Sequence, residues 1–103
     1  MKEKLKDNLR KAIKLAKKPG MCQYTFPATG KPCCVIGQLM HIENMNLAVQ
    51  NSTIDFLFRE EYKAVAGLKK YPLNLLTDLQ CEWDGADSSK QAKATMLAMV
   101  ESY

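Results

Sequence analysis

The chain has 103 residues, of which 47% are hydrophobic and 25% are charged. This length suits one domain with a modest hydrophobic core, and this composition argues against disorder. No apolar run approaches the roughly 20 residues that span a membrane, and no signal-peptide core follows the N-terminus, so we expect a cytoplasmic protein. The net charge of +4 is concentrated in residues 1–20, which carry eight Lys and Arg against two acidic residues. A DNA mimic, which needs an acidic surface, is therefore disfavoured.

The first predicted element is a basic amphipathic helix over residues 2–18. Its apolar side chains recur at helical spacing and form one stripe, while basic side chains spread over the opposite side. The dipeptide Pro19-Gly20 ends this helix. Basic side chains on an exposed helix can contact the phosphates of a nucleic acid. The candidate macromolecule-binding residues of this helix are Arg10, Lys11, Lys14, Lys17 and Lys18.

The next segment predicts a short β-hairpin over residues 21–33. Its first half mixes β-forming residues, and the sequence PATGKP then supplies proline and glycine for a turn. From about residue 34 to residue 43 the sequence is apolar on nearly every side, which predicts a short, buried, central helix.

Three further helices are predicted toward the C-terminus, over residues 53–66, 72–82 and 88–102. Each combines an apolar face at helical spacing with a capping residue or a proline at its start. The predicted fold is therefore α+β and mainly α, with four to five short helices around the central buried helix and one short hairpin. We expect a single domain over residues 1–103.

The adjacent cysteines at the start of the central helix are interpreted as core residues. Free cysteine is among the most buried residue types, so Cys33 and Cys34 are expected to pack with Leu39, and Gly37 to allow a neighbouring element to approach closely. A buried hydroxyl in place of the Cys34 thiol is then expected to destabilise the fold by about 1 to 3 kcal/mol. The alternative is a zinc site, whose ligands would be Cys22, Cys33 or Cys34, His41 and Cys81.

Nucleophilic catalysis by a cysteine is disfavoured. His41 is the only histidine in the chain and follows Cys34 by seven residues, about 10 Å along a helix axis. That separation is too long for a direct hydrogen bond between thiol and imidazole. We therefore expect no enzymatic activity, no catalytic residues, no metal and no cofactor.

The acidic sequence after the fourth predicted helix loosely resembles a calcium loop, although the ligand pattern of an EF-hand is incomplete. A structural loop is the preferred interpretation. Leu76, Leu79 and Trp83 share a face at helical spacing, and the sequence WDGADSS that starts at Trp83 ends the helix. Trp83 and Asp84 are interpreted as exposed candidates for macromolecule binding.

Two stretches of the sequence carry a resemblance to a family. MCQYTFPATGKPCCVIGQL, which begins at Met21, is similar to small proteins of phages and prophages that have a YCCLGVL-like motif. YPLNLLTDLQCEWDGADSS, which begins at Tyr71, is similar to their segment with an LND-like loop, with Trp83 in place of Asn. The resemblance implies a small accessory protein of a phage or mobile element that acts in the host cytoplasm, and it implies no catalytic residue.

The sequence thus predicts a non-catalytic accessory protein that binds a host or phage macromolecule. A protein partner is preferred, and inhibition of a host system is one role that such binding would allow. The alternative is a small nucleic-acid-binding protein that uses its basic N-terminal helix. No interaction with a membrane is expected.

Overall fold

A computed structural model describes residues 1–20, 31–44 and 68–103 of the chain. Four helices form most of these ranges, and none of the four is long and apolar enough to cross a membrane. They are α1 (Glu3–Leu15), α2 (Val35–Ile42), α3 (Leu73–Asp84) and α4 (Ser89–Glu101).

The four helices pack in a closed arrangement. Helix α1 packs against α2 and α4, and α3 packs against the same two helices. Each of the four helices contributes side chains with no exposed surface to one core, among them Leu9 of α1, Ile36 of α2, Leu76 of α3 and Met96 of α4. Burial of these apolar faces stabilises helices that are too short to persist alone in water.

The predicted α+β class is wrong, because the described parts of the chain form four helices and no strand. Most of the predicted hairpin, residues 21–30, lies outside the described residues, and so does the helix predicted over residues 53–66. The described end of that hairpin leads directly into α2. There the Cys33 carbonyl accepts a hydrogen bond of 2.7 Å from the Lys17 amide, just after α1.

The helix bounds differ from the predicted ones by one to three residues. Helix α1 ends at Leu15 rather than at residue 18, because residues 16–20 leave the helix and contact α2 and α3. Helix α3 extends to Asp84, with Gly85 as its C-cap, rather than ending at residue 82. Residues 16–18 therefore lie outside α1, and Trp83 lies inside α3.

Helix α2 occupies the centre, where its residues from Val35 to Met40 are all buried. Its first turn is capped by a thiol, because the Sγ atom of Cys34 accepts a hydrogen bond from the Gly37 amide at 3.4 Å. Sulfur is a weak acceptor compared with the oxygen of the usual N-cap residues. The burial of nearly every side of α2, rather than its cap, therefore holds this helix in place.

Candidate functional site

The strongest candidate site is a group of four lysines at the C-terminal end of α1. Lys11 and Lys14 belong to α1, and Lys17 and Lys18 belong to the turn that follows it. We call this group the basic end of α1. All four residues are exposed. Leu15 lies among them in sequence and is also exposed, at 49% of its surface. The basic end therefore combines four ammonium groups with one exposed apolar side chain.

Arg10 does not contribute a solvated positive charge to this site. Its guanidinium forms salt bridges with Glu3 and Asp7 of α1, and its Nε atom donates to Glu101 of α4 at 2.7 Å. Of these contacts, the hydrogen bond to Glu101 raises the pKa of Arg10 most. The guanidinium in turn lowers the pKa of Glu101. Three carboxylates therefore pair with Arg10 and join α1 to α4, and its place in a binding surface stays a prediction.

The segment that follows α1 turns sharply through an unusual backbone. Lys18 has a φ of 55°, in the left-handed region, although it is neither glycine nor asparagine, and Gly20 has a φ of 85°. A side chain in this region costs roughly 1–2 kcal/mol. The residue before a proline is in addition pushed toward extended backbone, and Lys18 precedes Pro19. Neighbouring elements must therefore hold this turn.

The hydrogen bonds that hold the turn come from α3 and from the start of α2. The indole Nε1 of Trp83 donates to the Lys17 carbonyl at 3.2 Å, and the Cys33 thiol donates to the same carbonyl at 3.4 Å. The Gly20 amide donates to the Trp83 carbonyl at 2.9 Å. Together with the bond from the Lys17 amide to the Cys33 carbonyl, these contacts fix both ends of the turn.

Trp83 is therefore a core residue and not an exposed binding residue. It has no exposed surface, because α3 continues past residue 82 and places its side chain on the same face as Leu76 and Leu79. Asp84, the other candidate of this region, is half-buried, and both of its carboxylate oxygens accept hydrogen bonds of 2.9 Å from the Gln80 amide.

Lys93 of α4 contacts the basic end of α1 through the Lys14 carbonyl. Its ammonium group donates to the Lys14 carbonyl at 2.7 Å and lies 5.9 Å from the centroid of the Trp83 ring. Burial and then the charge of Lys17 lower the pKa of Lys93. The helix dipole favours cations at the C-terminal end of α1. The ammonium group of Lys93, from the helix α4 that packs against α1, lies at this end.

The predicted core residues of the central segment are all buried. Cys33, Cys34 and Leu39 have no exposed surface, and Gly37 lies within the buried face of α2. Burial raises the pKa of the Cys33 thiol and raises that of Cys34 to about 11. Because the thiolate is the nucleophile and the metal ligand, burial disfavours the reactive form of both cysteines.

The described ranges contain no cluster of side chains that could hold a metal ion. No group of three or more His, Cys, Asp or Glu side chains gathers within residues 1–20, 31–44 and 68–103. His41 and Cys81 are exposed, and Cys22 lies outside the described residues. An open cleft of about 140 Å³ lies at the turn between α3 and α4, and Glu82 and Asp87 are its acidic lining residues.

Two buried amides were missed by the sequence reasoning. Gln38 is 6% exposed, and its Nε2 donates to the Leu15 carbonyl at 3.0 Å and to the Pro32 carbonyl at 3.2 Å. Gln80 is 8% exposed and binds Asp84. A glutamine inside an otherwise apolar helix is the signal that could have indicated them, because a buried amide requires partners.

A second polar network joins α1 to the residue that follows α2 and to the segment before α3. The Tyr71 hydroxyl donates to Glu43 Oε1 at 2.6 Å, Asn8 Nδ2 donates to both, and the Lys70 ammonium contacts Glu43 Oε2 at 2.6 Å. Tyr71 is 2% exposed, so this network supports the fold rather than offering a surface.

Comparison of the chain with protein families, curated proteins and solved structures finds no match.

Proposed function

We propose that this chain is a non-catalytic binding protein that uses the basic end of α1 to bind an acidic surface of another protein. The observation that carries the proposal is the exposure of four lysines that flank the exposed Leu15 in the chain within eight residues. Clustered positive charge attracts an acidic partner and accelerates the encounter between the two. An apolar side chain within such a cluster suits a protein partner, whose acidic surface also offers apolar contacts.

Two observations support a binding role over a catalytic one. The thiols of Cys33 and Cys34, the strongest nucleophile candidates of the sequence, are buried and protonated at neutral pH. The hydrogen bonds around Lys17 and Trp83 involve the backbone of the turn, and the side chains of Lys17 and Lys18 stay exposed to solvent. The family resemblance adds the expectation that the partner is a protein of a phage or its host.

The test measures binding of a fluorescently labelled peptide that is rich in glutamate and contains a central leucine. The substitutions Lys11→Gln, Lys14→Gln and Lys17→Gln together should weaken binding about tenfold, because each exposed ion pair contributes roughly 0.2 to 1 kcal/mol. The matched control combines Lys2→Gln, Lys4→Gln and Lys69→Gln, which remove the same charge at exposed positions away from the basic end. Equal losses in both triple variants would show that net charge alone attracts the peptide.

Nucleic-acid binding is the second candidate, and the same lysines favour it. A labelled DNA duplex measured beside the peptide distinguishes the two partners. Binding of the duplex without binding of the peptide, with an affinity that falls steeply with salt and a slope that flattens in the first triple variant, would replace the proposed function with nucleic-acid binding.

A further inference from the structure

In the turn at residues 17–20, the backbone conformation of one residue is one that its residue type disfavours. Its second position needs a left-handed conformation, which glycine and asparagine adopt at little cost, yet Lys18 occupies it at a φ of 55°. Gly20, two residues later, adopts a φ of 85° with the residue type suited to it. A residue kept in strained backbone by its surroundings is commonly found at a functional site.

The surroundings of the turn determine its conformation from both sides. Two donors, the Trp83 indole and the Cys33 thiol, meet at the Lys17 carbonyl, and the Lys17 and Gly20 amides donate to carbonyls of Cys33 and Trp83. Cys33 and Trp83 have no exposed surface, whereas Lys17 and Lys18 are exposed. A rigid buried base thus presents two adjacent lysines to solvent.

We propose that this turn is a preorganised binding loop in which the ammonium group of Lys18, held in a strained backbone conformation, contacts a carboxylate of the acidic polypeptide partner. The inference rests on the proposed function and deepens it, because it names the residue and the conformation that recognise the partner. Preorganisation of the loop lowers the entropy that binding must otherwise overcome. Trp83 acts as a positioning residue for Lys17 and Lys18.

Three substitutions at one position separate charge from strain. Lys18→Asn removes the charge and relieves the backbone, so it should raise the melting temperature by about 4 °C and weaken binding of the glutamate-rich peptide about two- to fivefold. Lys18→Gln removes the charge alone, so it should weaken binding equally and leave the melting temperature unchanged. Lys18→Arg should retain both the affinity and the melting temperature.

The control is Lys4→Gln, which removes one exposed charge at the other end of α1 and should leave the affinity unchanged. Affinity that is unchanged in Lys18→Asn and Lys18→Gln would overturn the binding role of Lys18, and a melting temperature that does not rise in Lys18→Asn would overturn the strain argument. In either case the triple variant at Lys11, Lys14 and Lys17 still tests the proposed function separately. Failure of the unmodified protein to bind the peptide would overturn both proposals.

Discussion

Cys34 shows how a single side chain changes its meaning once its partners are known. In the sequence it is a small apolar residue at the start of an apolar run. In the structure its Sγ atom caps α2 by accepting from the Gly37 amide, and its thiol points at Gln80 Oε1 at 3.7 Å. The site therefore offers both a donor and an acceptor to a polar side chain.

The expected cost of Cys34→Ser is consequently lower than the 1 to 3 kcal/mol that the sequence suggested. A serine hydroxyl at this N-cap can use both partners, so we expect a change in the free energy of unfolding within about 1 kcal/mol. Cys34→Ala, which loses the cap, should cost about 1 to 2 kcal/mol. Urea unfolding of the two variants checks this order, and a serine variant less stable than the alanine variant would contradict the capping role.

Tyr71 supports a second prediction at the scale of one atom. Its hydroxyl is buried and donates to the Glu43 carboxylate at 2.6 Å. A hydrogen bond to a charged group contributes about 1.5 to 3 kcal/mol, so Tyr71→Phe should lower the free energy of unfolding by that amount. Tyr103→Phe is the matched control, since Tyr103 is 45% exposed and should change stability by less than about 0.5 kcal/mol. Similar losses in the two variants would argue against the network.

At the scale of elements, each described helix was predictable from its own apolar spacing, and its ends were predictable to within one to three residues, with the largest difference at the end of α1. Helix α4 was predicted over residues 88–102 and spans Ser89–Glu101, with Ser88 as the capping residue that accepts from the Gln91 amide. Helix α1 ends early because Trp83 and Cys33 bind the residues that follow it. A local pattern carries no information about a partner that is 66 residues away.

Helix α4 also offers a test of which methionine face is core. Met96 has no exposed surface and belongs to the core, while Met99 is only partly buried against it. Met96→Ala should lower the free energy of unfolding by about 2 to 5 kcal/mol, because it leaves a cavity among α4's neighbours. Met99→Ala should cost less than about 1.5 kcal/mol. Thermal and urea unfolding compare the two, and the reverse order would contradict the orientation of α4.

At the scale of the molecule, polar contacts between distant residues join the described helices. The Arg10 guanidinium connects α1 to the end of α4, Lys93 reaches the Lys14 carbonyl, and Glu43 connects the end of α2 to Tyr71. The Glu43 carboxylate is exposed at only 12% of its side chain, and it accepts from three side chains. Its charge state therefore affects the whole fold.

The stability of the protein is expected to depend on Glu43 in acid. Burial alone would raise the pKa of Glu43, but hydrogen bonds from Lys70 and Tyr71 outweigh it and hold that pKa below its ordinary value. A pKa that is lower in the folded state stabilises the fold above the unfolded pKa of about 4.3, and this contribution is lost as the pH falls through the folded value.

Glu43→Gln should therefore be less stable than the unmodified protein at neutral pH, and the difference should shrink below about pH 4. Urea unfolding across pH measures this difference. The pKa of Glu101 is also lowered, by its hydrogen bond to Arg10, so Glu101→Gln is the control for acid sensitivity elsewhere. Its carboxylate is exposed and its pH effect should be smaller. A constant difference between the Glu43 variant and the unmodified protein at all pH values would contradict this assignment.

The sequence by itself determined the helical segments of the described chain, the apolar face of each and the concentration of positive charge on α1, because periodicity and charge are properties of one segment. The tertiary structure alone decided that Arg10 is enclosed by carboxylates, that Trp83 is buried, and that Lys18 stands in a strained turn. Each of these outcomes depends on groups that are up to 91 residues apart, and only the packing of α1 against α2 and α4 brings them together.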